Sequence, residues 1–157
     1  MVITDQRRAA SGTATRATLG FLLAKASQRW NELLYAHFSE RGYSEVRPAY
    51  GSLLLPLFEE DGLRMGELAR RARLAKQTMT TMVRLLERDG LVRRETDPDD
   101  GRATRIHLTE RALDFRPVAE RVLGELDQLV TSSLGERRAK QLATDLKEVS
   151  DLCKATP

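Results

Sequence analysis

The 157-residue chain is short of several things at once: one cysteine, two histidines and 5% aromatic residues. A lone thiol, Cys153, has no partner for an intramolecular disulfide, and His37 and His107 are too far apart in sequence to read as a metal-ligand motif. Neither a metal nor a cofactor is expected. No apolar run approaches the roughly 20 residues that a membrane helix needs, and Met1 to Arg8 lack the apolar stretch of a secretion signal. No membrane partner is expected, and the cytoplasm is the expected location. A nucleophile elbow, a glycine-rich phosphate loop and a paired acid and base are all missing, so the chain does not read as an enzyme.

What is present fits a folded protein. The composition, 41% hydrophobic and 31% charged, is that of a globular domain with a real core. The net charge of +3 is unevenly spread: from Arg64 to Arg105 there are eleven Arg or Lys against seven acids, a local surplus of +4. That surplus points the middle of the chain toward an anionic partner.

Hydrophobic periodicity divides the chain into helical ends and a mixed centre. Residues 1–13 are polar and read as a flexible tail. Within 14–45, a long helix from Thr15 to Arg41 aligns Leu19, Leu23, Ala26, Trp30, Leu33 and Leu34, and Gly42 ends it. Pro48 suits the first turn of a second helix through Leu53, Leu54, Leu57 and Phe58. Met65 to Ala72 and Lys76 to Asp89 then form two helices joined by Arg73-Leu74-Ala75, a helix-turn-helix. Met79, Met82, Val83 and Leu86 make the buried stripe of the second, which turns Gln77, Thr80, Thr81, Arg84 and Arg88 outward. After the centre, Thr109 with Glu110 opens a helix to about Ser133. A last helix follows Gly135, with Leu142, Leu146, Val149 and Cys153 on one seam. Such a seam favours a buried, structural thiol at Cys153.

Between Gly90 and Thr109 the period changes to two. Leu91 to Glu95 and Thr104 to Leu108 alternate apolar and polar residues as half-buried strands do, and Asp97-Pro98-Asp99-Asp100-Gly101 supplies the turn. Arg102 therefore sits near the tip of a projecting hairpin. An isolated hairpin of this kind is most simply a solvated loop; one that directly follows a helix-turn-helix is a wing. The expected fold is mainly α with a small β-hairpin wing. A winged helix-turn-helix over 46–108 lies between an N-terminal dimerisation helix at 14–45 and C-terminal dimerisation helices at 109–157.

These residues resemble the MarR family of bacterial transcription regulators. The resemblance is carried by Leu68-Ala69, by Lys76-Gln77-Thr78-Met79-Thr80, by Leu86-Glu87-Arg88-Asp89-Gly90-Leu91-Val92, and by a wing with Asp100, Arg102, Ile106, Leu108 and Thr109. Gly101 stands where the family often has arginine, and Ala112 where it often has glycine. The resemblance implies a homodimeric repressor on double-stranded DNA at a pseudo-palindromic operator. It also implies release by a small anionic aromatic or phenolic effector.

The major groove shows a distinct pattern at each base pair, so Gln77, Thr81 and Arg84 are the candidate base readers, with Lys76 and Thr80 nearer the phosphates and Thr78 also in the DNA-binding set. Arg102 is the candidate for the minor groove, and Asp100 for holding Arg102 or bracing the turn. Arg73, Arg93, Arg94 and Arg105 are candidate phosphate contacts. Trp30, His37, Tyr43, Arg47 and Tyr50 are candidates for an effector pocket. Two other readings stay open at this point: a winged-helix interaction module that does not read DNA, and a peroxide-sensing regulator using Cys153.

Overall fold

The structure, a computed structural model, describes residues 18–155; the expected tail at 1–13 and the first turn expected from Thr15 lie outside them. Helix α1 spans Leu19–Glu40, α2 Gly51–Glu59, α3 Met65–Ala72 and α4 Lys76–Arg88. Strands β2 (Val92–Thr96) and β3 (Thr104–Leu108) form the hairpin, and α5 (Glu110–Leu134) and α6 (Glu136–Ala155) complete the chain. A two-residue strand β1, Leu63–Arg64, pairs with β3 to give an antiparallel sheet of order β1-β3-β2. The mainly helical fold with a small hairpin is as expected. The third strand is an addition, too short to leave a periodic signal.

Three helices end in the same way. The N–H of Tyr43 bonds the Phe38 carbonyl at 2.9 Å, that of Leu74 bonds Ala69 at 3.0 Å, and that of Leu91 bonds Leu86 at 2.9 Å. Each is the six-to-one bond of a helix end whose preceding residue is left-handed. Gly42 (φ 85°) and Gly90 (φ 75°) take that conformation freely, but at the end of α3 it is imposed on Arg73 (φ 55°). The Leu91 bond also explains why β2 begins at Val92 rather than Leu91. The second helix likewise starts as a tight turn, Pro48–Tyr50, before α2 proper.

Register fixes the wing. Val92 faces Leu108, Arg94 faces Ile106 and Thr96 faces Thr104. Thr109 joins wing to α5: its hydroxyl accepts from the Ala112 N–H at 3.3 Å and donates to the Gly90 carbonyl at 2.6 Å. The helix-turn-helix, the sheet and the start of α5 are therefore tied at one point.

One core runs through the centre, where Leu53, Leu68, Val83, Leu86, Leu91, Ile106, Ala112 and Val122 are fully buried. It extends outward only to Leu34 on α1 and Leu126 on α5. Beyond it Leu19, Phe21 and Leu22 on α1, Leu129 on α5, and Leu142, Leu146 and Leu152 on α6 are exposed. Leu113 on α5 is exposed as well. Cys153 corrects a further expectation: its seam is uncovered within one chain, so the thiol is exposed rather than buried. No helix among the described residues is long and apolar enough to cross a membrane.

Candidate nucleic-acid interface

Helix α4 is held from below and at its far end. Met79, Val83 and Leu86 anchor it in the core. The Tyr50 hydroxyl donates to Asp89 at 2.5 Å, and Arg94 of β2 reaches Glu87 at 3.1 Å. Burial, reinforced by the Asp89 carboxylate, pushes the Tyr50 phenol up from its ordinary value. Its opposite ridge carries Gln77, Thr81, Arg84 and Arg88, spaced four, three and four residues apart, all exposed. Lys76 and Thr78 are exposed beside them, and Thr80 is half-buried.

The wing is organised by a carboxylate that sequence reasoning left inside an ordinary turn. Asp97 is only 1% exposed. Its oxygens accept from the Asp99 N–H at 2.8 Å and from Arg64 Nε at 2.6 Å, and Arg105 Nε lies 2.9 Å away. The Asp99 N–H does most to hold the Asp97 carboxyl below its ordinary range, against desolvation and with help from the two arginines. Arg105 also donates to the Gly62 carbonyl at 2.9 Å. Asp97 thus ties the tip of β2 to β1 and β3. A carboxylate two residues before Asp99 in an Asp-Pro-Asp turn was the available signal, but nothing in sequence separation pointed to Arg64. Asp100 braces the same turn by accepting from the Arg102 N–H at 3.0 Å. It makes no ion pair with the Arg102 guanidinium.

The eleven cations of this segment fall into two sets. Arg64 and Arg105 are paired with Asp97, Arg70 and Arg71 with Glu67, Arg88 with Asp89, Arg93 with Glu95 and Arg94 with Glu87. Glu67 is pulled down to about 2, first by its bonds with Arg70 and then by the one from Arg71. Arg73, Lys76, Arg84 and Arg102 meet no acid among the described residues, and they lie before α4, at its start, on its outer ridge and at the wing tip. Lys76 and Arg102, with Arg64, line a cleft of about 590 Å³ floored by Met65, Ala69 and Met79. Of the candidate phosphate contacts, Arg94 and Arg105 are thus already engaged inside the protein, and Arg93 is paired on the hairpin. Of that set, Arg73 alone meets no acid among the described residues.

The candidate effector residues do not converge. A second cavity, about 300 Å³, lies between α1, the 46–58 segment and α5, lined by Phe38, Arg47, Ser52, Phe58, Phe115 and apolar neighbours. Arg47 is the one candidate on its wall. Tyr50 is sealed against Asp89, and Trp30 packs beside the core. Tyr43 sits against Phe115 with the Arg111 guanidinium 4.0 Å above its ring. His37 joins Arg41 and Glu125, which are 2.7 Å apart, on the face between α1 and α5.

A family model, the MarR family, matches residues 49–104, the stretch from the turn before α2 to the start of β3. A helix-turn-helix transcriptional repressor of Mycobacterium bovis is 30% identical over 138 residues, covering 88% of this chain and 97% of its own length. The chain belongs to the MarR family. The regulator TtmR of Methylorubrum extorquens is 33% identical over 87 residues, 55% of this chain and 45% of that protein. Among solved structures, the fold is similar to that of the PcaV regulator of Streptomyces coelicolor, solved with its natural ligand. The identity is 24%, the TM-score 0.72, and the match covers 92% and 98% of the two chains. The repressor CouR, solved on a 23-mer DNA duplex, has 24% identity, a TM-score of 0.68 and coverage of 85% and 92%. This MarR protein is accordingly a transcriptional regulator, like its curated relatives, and not an enzyme.

Proposed function

We propose that the chain is a homodimeric repressor that binds a pseudo-palindromic operator through α4 and the wing and is released by a small anionic aromatic ligand. The observation that carries the DNA contact is the set of four cations with no acid beside them among the described residues: Lys76 and Arg102 on the cleft wall, Arg84 on the α4 ridge and Arg73 in the turn before α4. A ridge of short polar side chains on a helix anchored from beneath suits a major groove, and a braced turn bearing a free arginine suits the neighbouring minor groove. The exposed leucines of α1, α5 and α6 support dimerisation: a patch of that chemistry is what a two-fold interface covers. The cavity beside Arg47 supports the ligand, with one cation over an apolar, aromatic wall. The expected units at 14–45, 46–108 and 109–157 belong to this reading, the first and last as dimerisation helices.

Titrating binding to duplex DNA against salt tests it. Four free cations per chain, doubled in a dimer, set a limiting slope of roughly −7 for log affinity against log salt. A slope near zero overturns the reading. Arg102→Ala should weaken binding with the helix content intact, since the side chain has no partner among the described residues.

A further inference from the structure

The hydroxyls of α4 are less available than their position suggests. Thr80 Oγ1 donates to the Lys76 carbonyl at 2.9 Å, and Thr81 Oγ1 donates to the Gln77 carbonyl at 3.2 Å. Each threonine has spent its one proton on its own helix, four residues back. Thr80 is half-buried on the flank of α4, but Thr81 is exposed on the outer ridge between Gln77 and Arg84. At 1.5 Å per residue those two hydrogen-bonding neighbours are roughly 10 Å apart along the axis, with Thr81 between them. What Thr81 has left for a partner is a methyl group and a hydroxyl oxygen that only accepts.

Among base edges in the major groove, thymine alone adds an apolar group, its C5-methyl. A guanine edge offers two acceptors there and needs donors that Thr81 no longer has, while the amino groups of adenine and cytosine can donate to its oxygen but leave its methyl without an apolar partner. Redirecting the hydroxyl toward a base would give up the bond to Gln77 for one of similar strength, so nothing is gained by the exchange. Packing methyl on methyl sacrifices no existing bond. Resting on the DNA reading above, we propose that Thr81 is a specificity-determining residue that recognises the C5-methyl of a thymine in each half-site, while Gln77 and Arg84 supply the hydrogen bonds on either side.

The test uses the full chain and a random duplex pool. Enriched duplexes are resynthesised with dU replacing dT one position at a time, which keeps the base pair and its polar edge and removes only the methyl. One thymine per half-site should be sensitive, with affinity falling about four-fold for each methyl lost. Thr81→Ser, which keeps the hydroxyl, should bind dT and dU duplexes equally. Thr81→Val, which keeps the methyl, should still prefer dT. Indifference of the native chain to every dU replacement overturns the proposal, as does a dT preference that survives in Thr81→Ser or vanishes in Thr81→Val. A pool that yields no enriched sequence removes the DNA reading together with it.

Discussion

The leucines at the centre of the chain and those at its ends meet opposite environments. Leu53, Leu68, Leu86 and Leu91 are sealed by α2, α3, α4 and the sheet, whereas Leu129 and Leu152 are 54% and 69% exposed. The two regions have similar helical periodicity, so pattern alone does not separate a face buried within the chain from one awaiting another surface. The centre closes because α2, α3, α4 and three strands surround a small volume. Past Leu126 the chain offers only α5 and α6, and two helices leave an apolar side uncovered. The centre should therefore owe its stability to its own contacts, and the ends to an assembly.

The largest effect is expected inside the centre. Leu68→Ala empties a fully buried site on α3, and such deletions cost about 2–5 kcal/mol. Denaturant unfolding should show that loss at any protein concentration. Leu146→Asp on α6 should do the reverse: it places a charge on the exposed seam, leaving a single chain nearly unaffected while dissociating the proposed dimer. Sedimentation should show the shift to monomer. A dimer that persists in that variant moves the interface away from α6.

Acid should separate the wing from the rest of the centre. Asp97 is held below its ordinary value of 3.8, so the stability it contributes is complete above that pH. That contribution is lost as pH falls through the lower, folded value. Protection of the β2 and β3 amides, taken relative to their intrinsic exchange rate at each pH, should accordingly be full at pH 5 and fall below pH 3.8. Asp97→Asn should show low protection at both. The core amides of α4 should change little, because Met79, Val83 and Leu86 are uncharged anchors.

This contrast also explains what was legible beforehand. The helix-turn-helix showed through Gly90, Arg73-Leu74-Ala75 and two short apolar stripes, all local signals. The wing showed through alternation, and Thr109 through its place before a helical run. Strand β1 did not show, since two residues carry no period. The roles of Asp97, Arg64 and Arg105 did not show either, because 33 residues separate Arg64 from the carboxylate it meets. For the same reason the chain alone did not reveal which arginines were free. Of Arg73, Arg94 and Arg105, only Arg73 lacks an acidic partner among the described residues. Tyr50 illustrates the aromatic case: a ring near an expected pocket is instead a clamp on α4, set by Asp89 from 39 residues away.

The smallest expected effect lies within the centre itself, at the three matching helix ends. Gly90 has open space where a Cβ would go, so Gly90→Ala isolates the conformational cost, about 1–2 kcal/mol for a left-handed residue. Arg73 already bears that cost at φ 55°. Arg73→Gly removes the strain but gives the unfolded chain more freedom, and the two nearly cancel, leaving stability within about 1 kcal/mol of the parent. If Arg73 is kept only as a helix end, the variant should bind DNA as the parent does. Because it makes no ion pair among the described residues and is exposed in the turn before α4, it is expected to contact phosphate. Its loss should then flatten the salt slope by about one unit per subunit. An unchanged slope would leave a strained arginine whose charge serves nothing, and would reduce the DNA-facing set to Lys76, Arg84 and Arg102.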